Sequence, residues 1–106
     1  MRGWEVGAAR PGATLPLVLY WTADAPVSKR YTVFTQLLNA AGAVVAQQDN
    51  PPALGAEPTD AWTPNALVRD PYLLTLPADL PPGAYRLLVG MYDAQGRRAE
   101  QTQGAA

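Results

Sequence analysis

Leu80-Pro81-Pro82-Gly83-Ala84-Tyr85-Arg86-Leu87-Leu88-Val89-Gly90-Met91-Tyr92 is the stretch that decides the fold. Its first half turns the chain: consecutive prolines fix φ and remove two backbone donors, and Gly83 supplies a permissive dihedral. Its second half alternates, with Tyr85, Leu87, Val89 and Met91 on one face, which is the two-residue period of a half-buried strand. A tyrosine that enters a core directly after such a turn, with its hydroxyl returning to nearby backbone, is the tyrosine corner of Greek-key sandwiches. The stretch therefore predicts an all-β domain, a two-sheet antiparallel β-sandwich of the immunoglobulin-like or jelly-roll-like kind, and gives Tyr85 a structural role.

Upstream, the chain is punctuated in the same way. Eleven Pro and nine Gly leave intervals too short for ordinary helices. After the turn Arg10-Pro11-Gly12-Ala13, the residues Leu15, Leu17, Leu19 and Trp21 alternate onto one face of a strand, and Pro16 places its start at an edge or bulge. Tyr31 to Leu38 is rich in β-formers on both faces and reads as a central strand. Asn39-Ala40-Ala41-Gly42 returns the chain through Ala43 to Asp49 as its hairpin partner. Asn50 to Asn65, with five Pro and Gly and no period, reads as one long ordered loop pinned by Trp62. Within it, Thr59 is placed to cap a short turn, and Asn65 suits a left-handed turn position. Leu67 to Leu76 forms a further strand with Val68, Tyr72, Leu74 and Leu76 on one face and Pro71 at an edge or bulge, and Asp93-Ala94-Gln95-Gly96 is a turn. At least five strands follow from this reading.

Composition bounds the function. The 106 residues suit a single domain, 1–106, with an ordered core from about 11 to 98 and a frayed polar tail at 101–106. Charged residues are only 16% of the chain and the net charge is −1, so the basic stripe that nucleic acid or anionic lipid requires is missing. The longest apolar run, Leu15 to Trp21, is far shorter than the ~20 residues of a spanning helix, so the segment itself does not enter a membrane. Without Cys there is no disulfide framework, and without His the usual general base and commonest metal ligand are missing. The expectation is a monomer that is not an enzyme and carries no cofactor or metal.

The aromatic content points elsewhere. Three Trp and five Tyr on a small sandwich suit carbohydrate binding, because flat rings stack on pyranose faces while carboxylates, amides and guanidinium groups satisfy the hydroxyls. Trp4, Trp62 and Tyr92 are the candidate platform, with Arg69 and Asp70 as nearby polar groups. The competing reading is packing: Trp62 plugging one end of the sandwich, Trp21 filling its core and Trp4 holding the first segment. Asp49, Asp70 and Asp93 each fall near a strand end, where three carboxylates can hold Ca²⁺ or two can form a glycosidase acid/base pair, but their spacing matches no calcium loop and such positions are ordinary turn chemistry. Lys29-Arg30 and Arg97-Arg98 read as solvated charge, and Ser28, the only serine, has no histidine partner.

In order along the chain come Leu19-Tyr20-Trp21, Tyr31-Thr32-Val33-Phe34, Leu37-Leu38 with Gly42, Asp49-Asn50-Pro51-Pro52, Pro58-Thr59-Asp60-Ala61-Trp62, Arg69-Asp70, Leu76-Pro77 and Leu80 to Tyr85. This series, from about Pro11 to Arg98, resembles the soluble C-terminal β-sandwich module of bacterial multi-span membrane glycosyltransferases of the dolichyl-phosphate-mannose mannosyltransferase type. The resemblance implies an extracytoplasmic domain excised from a larger protein, with the membrane part of that parent as a partner. In that family the sugar chemistry belongs to the membrane part, so the resemblance carries over no catalytic residue. Asn65 stands where the pattern has Gly, and the stretch after Arg98 lacks its final apolar strand. The expected function is a non-catalytic accessory module that binds glycan or a partner domain, the alternative being a purely structural spacer or assembly domain.

Overall fold

The computed structural model describes residues 1–99 and consists of six strands in two antiparallel three-stranded sheets. The strands are β1 (Gly3–Val6), β2 (Thr14–Trp21), β3 (Thr32–Leu38), β4 (Val44–Asn50), β5 (Val68–Thr75) and β6 (Arg86–Tyr92). One sheet has the order β1-β2-β5 and the other β4-β3-β6. The expected sandwich is therefore the observed architecture. The expected tail at 101–106 lies outside the described residues.

Alternation puts the core where the sequence places it. Leu15, Leu17, Leu19 and Trp21 of β2 and Val68, Tyr72 and Leu74 of β5 face Val33 and Leu37 of β3 and Met91 of β6, and all are buried. The core has two lobes. One is built around Trp21, Trp62, Tyr72 and Met91, the other around Leu15, Leu37, Leu74 and Leu80. The Tyr85 ring packs on the second lobe while its hydroxyl donates to the Pro81 carbonyl, as a tyrosine corner does. The β3–β4 hairpin closes on Gly42 (φ 82°), and the Asn39 carboxamide oxygen accepts from the Ala41 and Ala43 N–H groups.

Three expectations need correction. The first strand, Gly3–Val6, precedes the ordered core as read from sequence; four residues with one Gly give too short a period to detect, and it forms by pairing with Leu17 to Tyr20. Pro16 lies in β2, the central strand of its sheet rather than an edge. It is tolerated because it falls at the last step of the β1 ladder: the Gly7 N–H still bonds the Pro16 carbonyl, but Pro16 has no N–H to return the bond, and β1 ends at Val6. Thr59 does not cap its turn: its hydroxyl accepts from the Tyr31 N–H and donates to the Lys29 carbonyl, which ties the long loop to the approach to β3.

The two flanks of the sandwich differ. On one flank β4 and β5 lie together, and the Gln48 side chain accepts from the Leu73 N–H at the rim of β5. On the other flank are β1 and β6.

Candidate functional site

Asp70 is the least expected residue of the molecule. It lies in register with Leu19 of β2, on the inward face of β5, and is 0% exposed. Its carboxylate accepts from three donors, the Trp21 indole N–H at 2.9 Å, the Tyr72 hydroxyl at 2.8 Å and the Ala53 backbone N–H at 2.8 Å. The paired ions of the described residues, Lys29–Asp93 and Arg30–Asp60, lie elsewhere. Burial therefore outweighs the three donors and raises the Asp70 carboxyl above the ordinary carboxylate range. The same burial, with the neighbouring carboxylate, raises the Tyr72 phenol.

What Asp70 holds is backbone. Pro52 to Gly55 make a short turn in which Ala53 (φ 54°) and Leu54 (φ 57°) occupy the left-handed region that non-glycine residues avoid. The Asp70 bond to the Ala53 N–H lies at the root of that turn and anchors it to the core. Farther along, the Trp62 indole donates to the Glu57 carbonyl at 2.8 Å while its ring enters the first core lobe at 9% exposure. The loop from Asn50 to Asn65 is thus pinned at both ends, by Asp70 and by Trp62. Asn65 takes φ 66°, as its turn position requires.

The five candidate binding residues do not assemble. Trp62 is a plug and Asp70 a buried anchor. Arg69 points outward from the first sheet, beside Tyr20, whose hydroxyl donates to Glu5. Tyr92 lies on the outer face of the second sheet, where its hydroxyl donates to Asp49 at 2.9 Å and its ring stacks on Phe34 at 6.4 Å, with the Arg98 guanidinium 4.8 Å from the same Phe34 ring. Trp4 belongs to β1, and it is 47% exposed. The parity of Asp70 with Val68, Tyr72 and Leu74 is the signal that marks it as inward, and it outranks the turn chemistry of a strand-end aspartate.

The carboxylates likewise stay apart. Asp49 is exposed on the outer face. Asp93 is buried in the last turn, accepting from the Arg97 and Gln95 N–H groups and pairing with Lys29 at 3.5 Å; the Arg97 N–H is the main reason its carboxyl falls below the ordinary range. Among the described residues no group of three acidic side chains, with His and Cys absent, is placed to hold a metal ion. An open depression of about 850 Å³ lies at the end of the sandwich by the first core lobe, with Trp21, Trp62, Tyr31, Met91, Lys29 and Arg98 among its walls. The buried Thr22 hydroxyl on the same wall has no hydrogen-bond partner among the described residues.

No described helix is long and apolar enough to cross a membrane. Comparison of the chain with protein-family models, curated proteins and solved structures finds no match.

Proposed function

We propose that this chain is a non-catalytic accessory β-sandwich module whose role is assembly with a partner domain. The placement of Trp62 carries this reading: the aromatic of the long loop, a candidate sugar platform, is buried in the first core lobe and hydrogen-bonded to Glu57. The acidic groups are engaged in structure as well, Asp70 in the core and Asp93 in its turn. The series of motifs from about Pro11 to Arg98, which resembles membrane glycosyltransferase modules, supports an extracytoplasmic setting within a larger protein.

A glycan-binding reading retains one supporting feature, the aromatic-walled depression with its unpartnered Thr22 hydroxyl. Titration of the ¹⁵N-labelled chain with neutral and acidic oligosaccharides separates the two. The assembly reading expects the Trp21, Trp62 and Tyr92 signals to stay fixed at millimolar sugar, and saturable shifts there would replace it with glycan binding.

A further inference from the structure

We propose that Asp70 and Tyr72 form a proton-operated switch in the tether of the long loop. With Asp70 ionised, the Tyr72 hydroxyl donates to its carboxylate; with Asp70 protonated, the hydroxyl accepts from the acid and donates instead to the Asn50 carbonyl. The switch goes beyond the assembly reading and does not depend on it.

Counting donors sets the two states. The Trp21 indole N–H and the Tyr72 hydroxyl both reach Asp70 Oδ2, at 2.9 and 2.8 Å, and the Ala53 N–H reaches Oδ1 at 2.8 Å. An ionised carboxylate only accepts, and here three donors converge on it. A proton added to Asp70 must find an acceptor among those same partners. An indole N–H and a backbone N–H cannot accept, whereas a phenol oxygen can. The proton therefore settles on Oδ2 against the Tyr72 oxygen, and Oδ1, now the carbonyl oxygen of the acid, keeps its bond to Ala53.

Tyr72 then needs a new acceptor for its own hydrogen, and one is in place. Its oxygen lies 3.5 Å from the Asn50 carbonyl oxygen, compared with 2.8 Å from Asp70. A carbonyl has two lone pairs, so Asn50 can take this bond beside any it makes within its sheet. Closing the gap by about 0.5 Å brings it into the ordinary range for a hydroxyl donor. Tyr72 keeps one hydrogen throughout, and the proton that Asp70 gains comes from solvent and returns to it.

The surroundings bring both states within reach. Asp70 is 0% exposed, and the groups that face it are Trp21 from β2, Ala53 from the Pro52–Gly55 turn and Asn50 from the end of β4, none of which titrates. Arg69 beside it points to the outer face, so no cation opposes protonation, and burial moves the Asp70 transition above the ordinary carboxylate range. Burial, then the Asp70 and Asp49 carboxylates, raise the Tyr72 phenol, so its hydroxyl stays protonated on both sides of the transition. Both alternative contacts lie at the root of the loop, where Ala53 and Leu54 hold φ of 54° and 57°. Protonated, β5 grips this root at two points, Asn50 through Tyr72 and Ala53 through Asp70. Ionised, it grips Ala53 alone.

The test is a pH titration of the whole ¹³C,¹⁵N-labelled chain, followed at the Asp70 and Asp49 carboxyl carbons, the Asn50 carbonyl carbon and the Ala53 amide. The Asn50 carbonyl carbon should move downfield on acidification with the midpoint of Asp70, as the Tyr72 bond to it forms. The Ala53 amide proton should move upfield with the same midpoint, as its acceptor loses charge. Tyr72→Phe keeps the ring in the core and removes the hydroxyl, so the Ala53 response should persist and the Asn50 response should be lost. An Asn50 carbon that follows the Asp49 midpoint, that stays fixed while Asp70 titrates, or that responds equally in Tyr72→Phe overturns the switch. So does an Asp70 carboxyl carbon that never titrates in the folded chain.

Discussion

A carboxylate buried among an indole, a phenol and a backbone amide has its hydrogen bonds but no cation, and Asp70 is in that position. Its folded-state pKa is raised above the ordinary 3.8, so between these values the folded chain holds a proton that the unfolded chain has released. Stability therefore falls as pH rises through that window, and the penalty of the buried charge is complete above it. Asp93 works in the opposite direction: its pKa is lowered, so its contribution is present above the ordinary value and lost only in stronger acid. Asp70→Asn keeps an acceptor for Ala53 and removes the charge, so the melting temperature of the variant should be flat across the window where that of the wild type declines. Thermal melts from pH 4 to 8 check this, and parallel curves would show that Asp70 is not the group responsible. Tyr85 offers a simpler test of the corner. Tyr85→Phe removes one bond to a carbonyl that water can still reach, so the loss should be about 0.5–1 kcal/mol, read as a lower urea midpoint at constant slope. An unchanged midpoint would make the hydroxyl incidental to the corner.

At the level of elements, β6 is fitted to β3 through a missing side chain. Gly90 stands opposite Phe34, and a Cβ there would meet the Phe34 ring at 2.5 Å. The ring is held on the outer face by the Tyr92 stack and the Arg98 guanidinium, with little room to retreat. Gly90→Ala should thus destabilise by roughly 1–3 kcal/mol through overpacking, and Phe34→Leu in the same chain should recover part of that loss; urea denaturation of the single and double variants checks both. Elements of this kind are legible in the sequence wherever alternation runs for seven or eight residues, as in β2, β3, β5 and β6. The short β1 is not, because its four residues gain their order from pairing with β2 and carry little pattern of their own. The pin at Trp62 is legible as the one large aromatic in a long loop. Its counterpart Asp70 is harder to read as a pin, because the identity of an aspartate suggests a turn while its parity within Val68–Thr75 places it inside. The exposure of Trp4 in β1 lies beyond reach for a different reason: it depends on strand order in both sheets, which no local pattern encodes.

On the scale of the whole molecule, the two flanks predict different amide behaviour. Slow exchange requires a hydrogen-bonded N–H, and in an edge strand only every second residue has one within its ladder. Along β6, Leu88 and Gly90 turn towards β3, whereas Leu87 and Val89 turn away from it. Hydrogen exchange in the isolated chain should therefore alternate along this strand, slow at 88 and 90 and fast at 87 and 89. Along β5 the alternation should be interrupted, because the outward Leu73 N–H is bonded at 3.0 Å to the Gln48 side chain. Gln48→Ala should release that amide and leave its neighbours in the β2 ladder, Tyr72 and Leu74, as slow as before. Residue-resolved exchange by NMR reads both strands in one experiment. Equal protection at Leu87 and Leu88 would mean that the outward amides of β6 are paired within the chain; alternation in β6 beside a protected Leu73 in β5 would mean that the Gln48 side chain closes the β5 rim where β6 has no such bond.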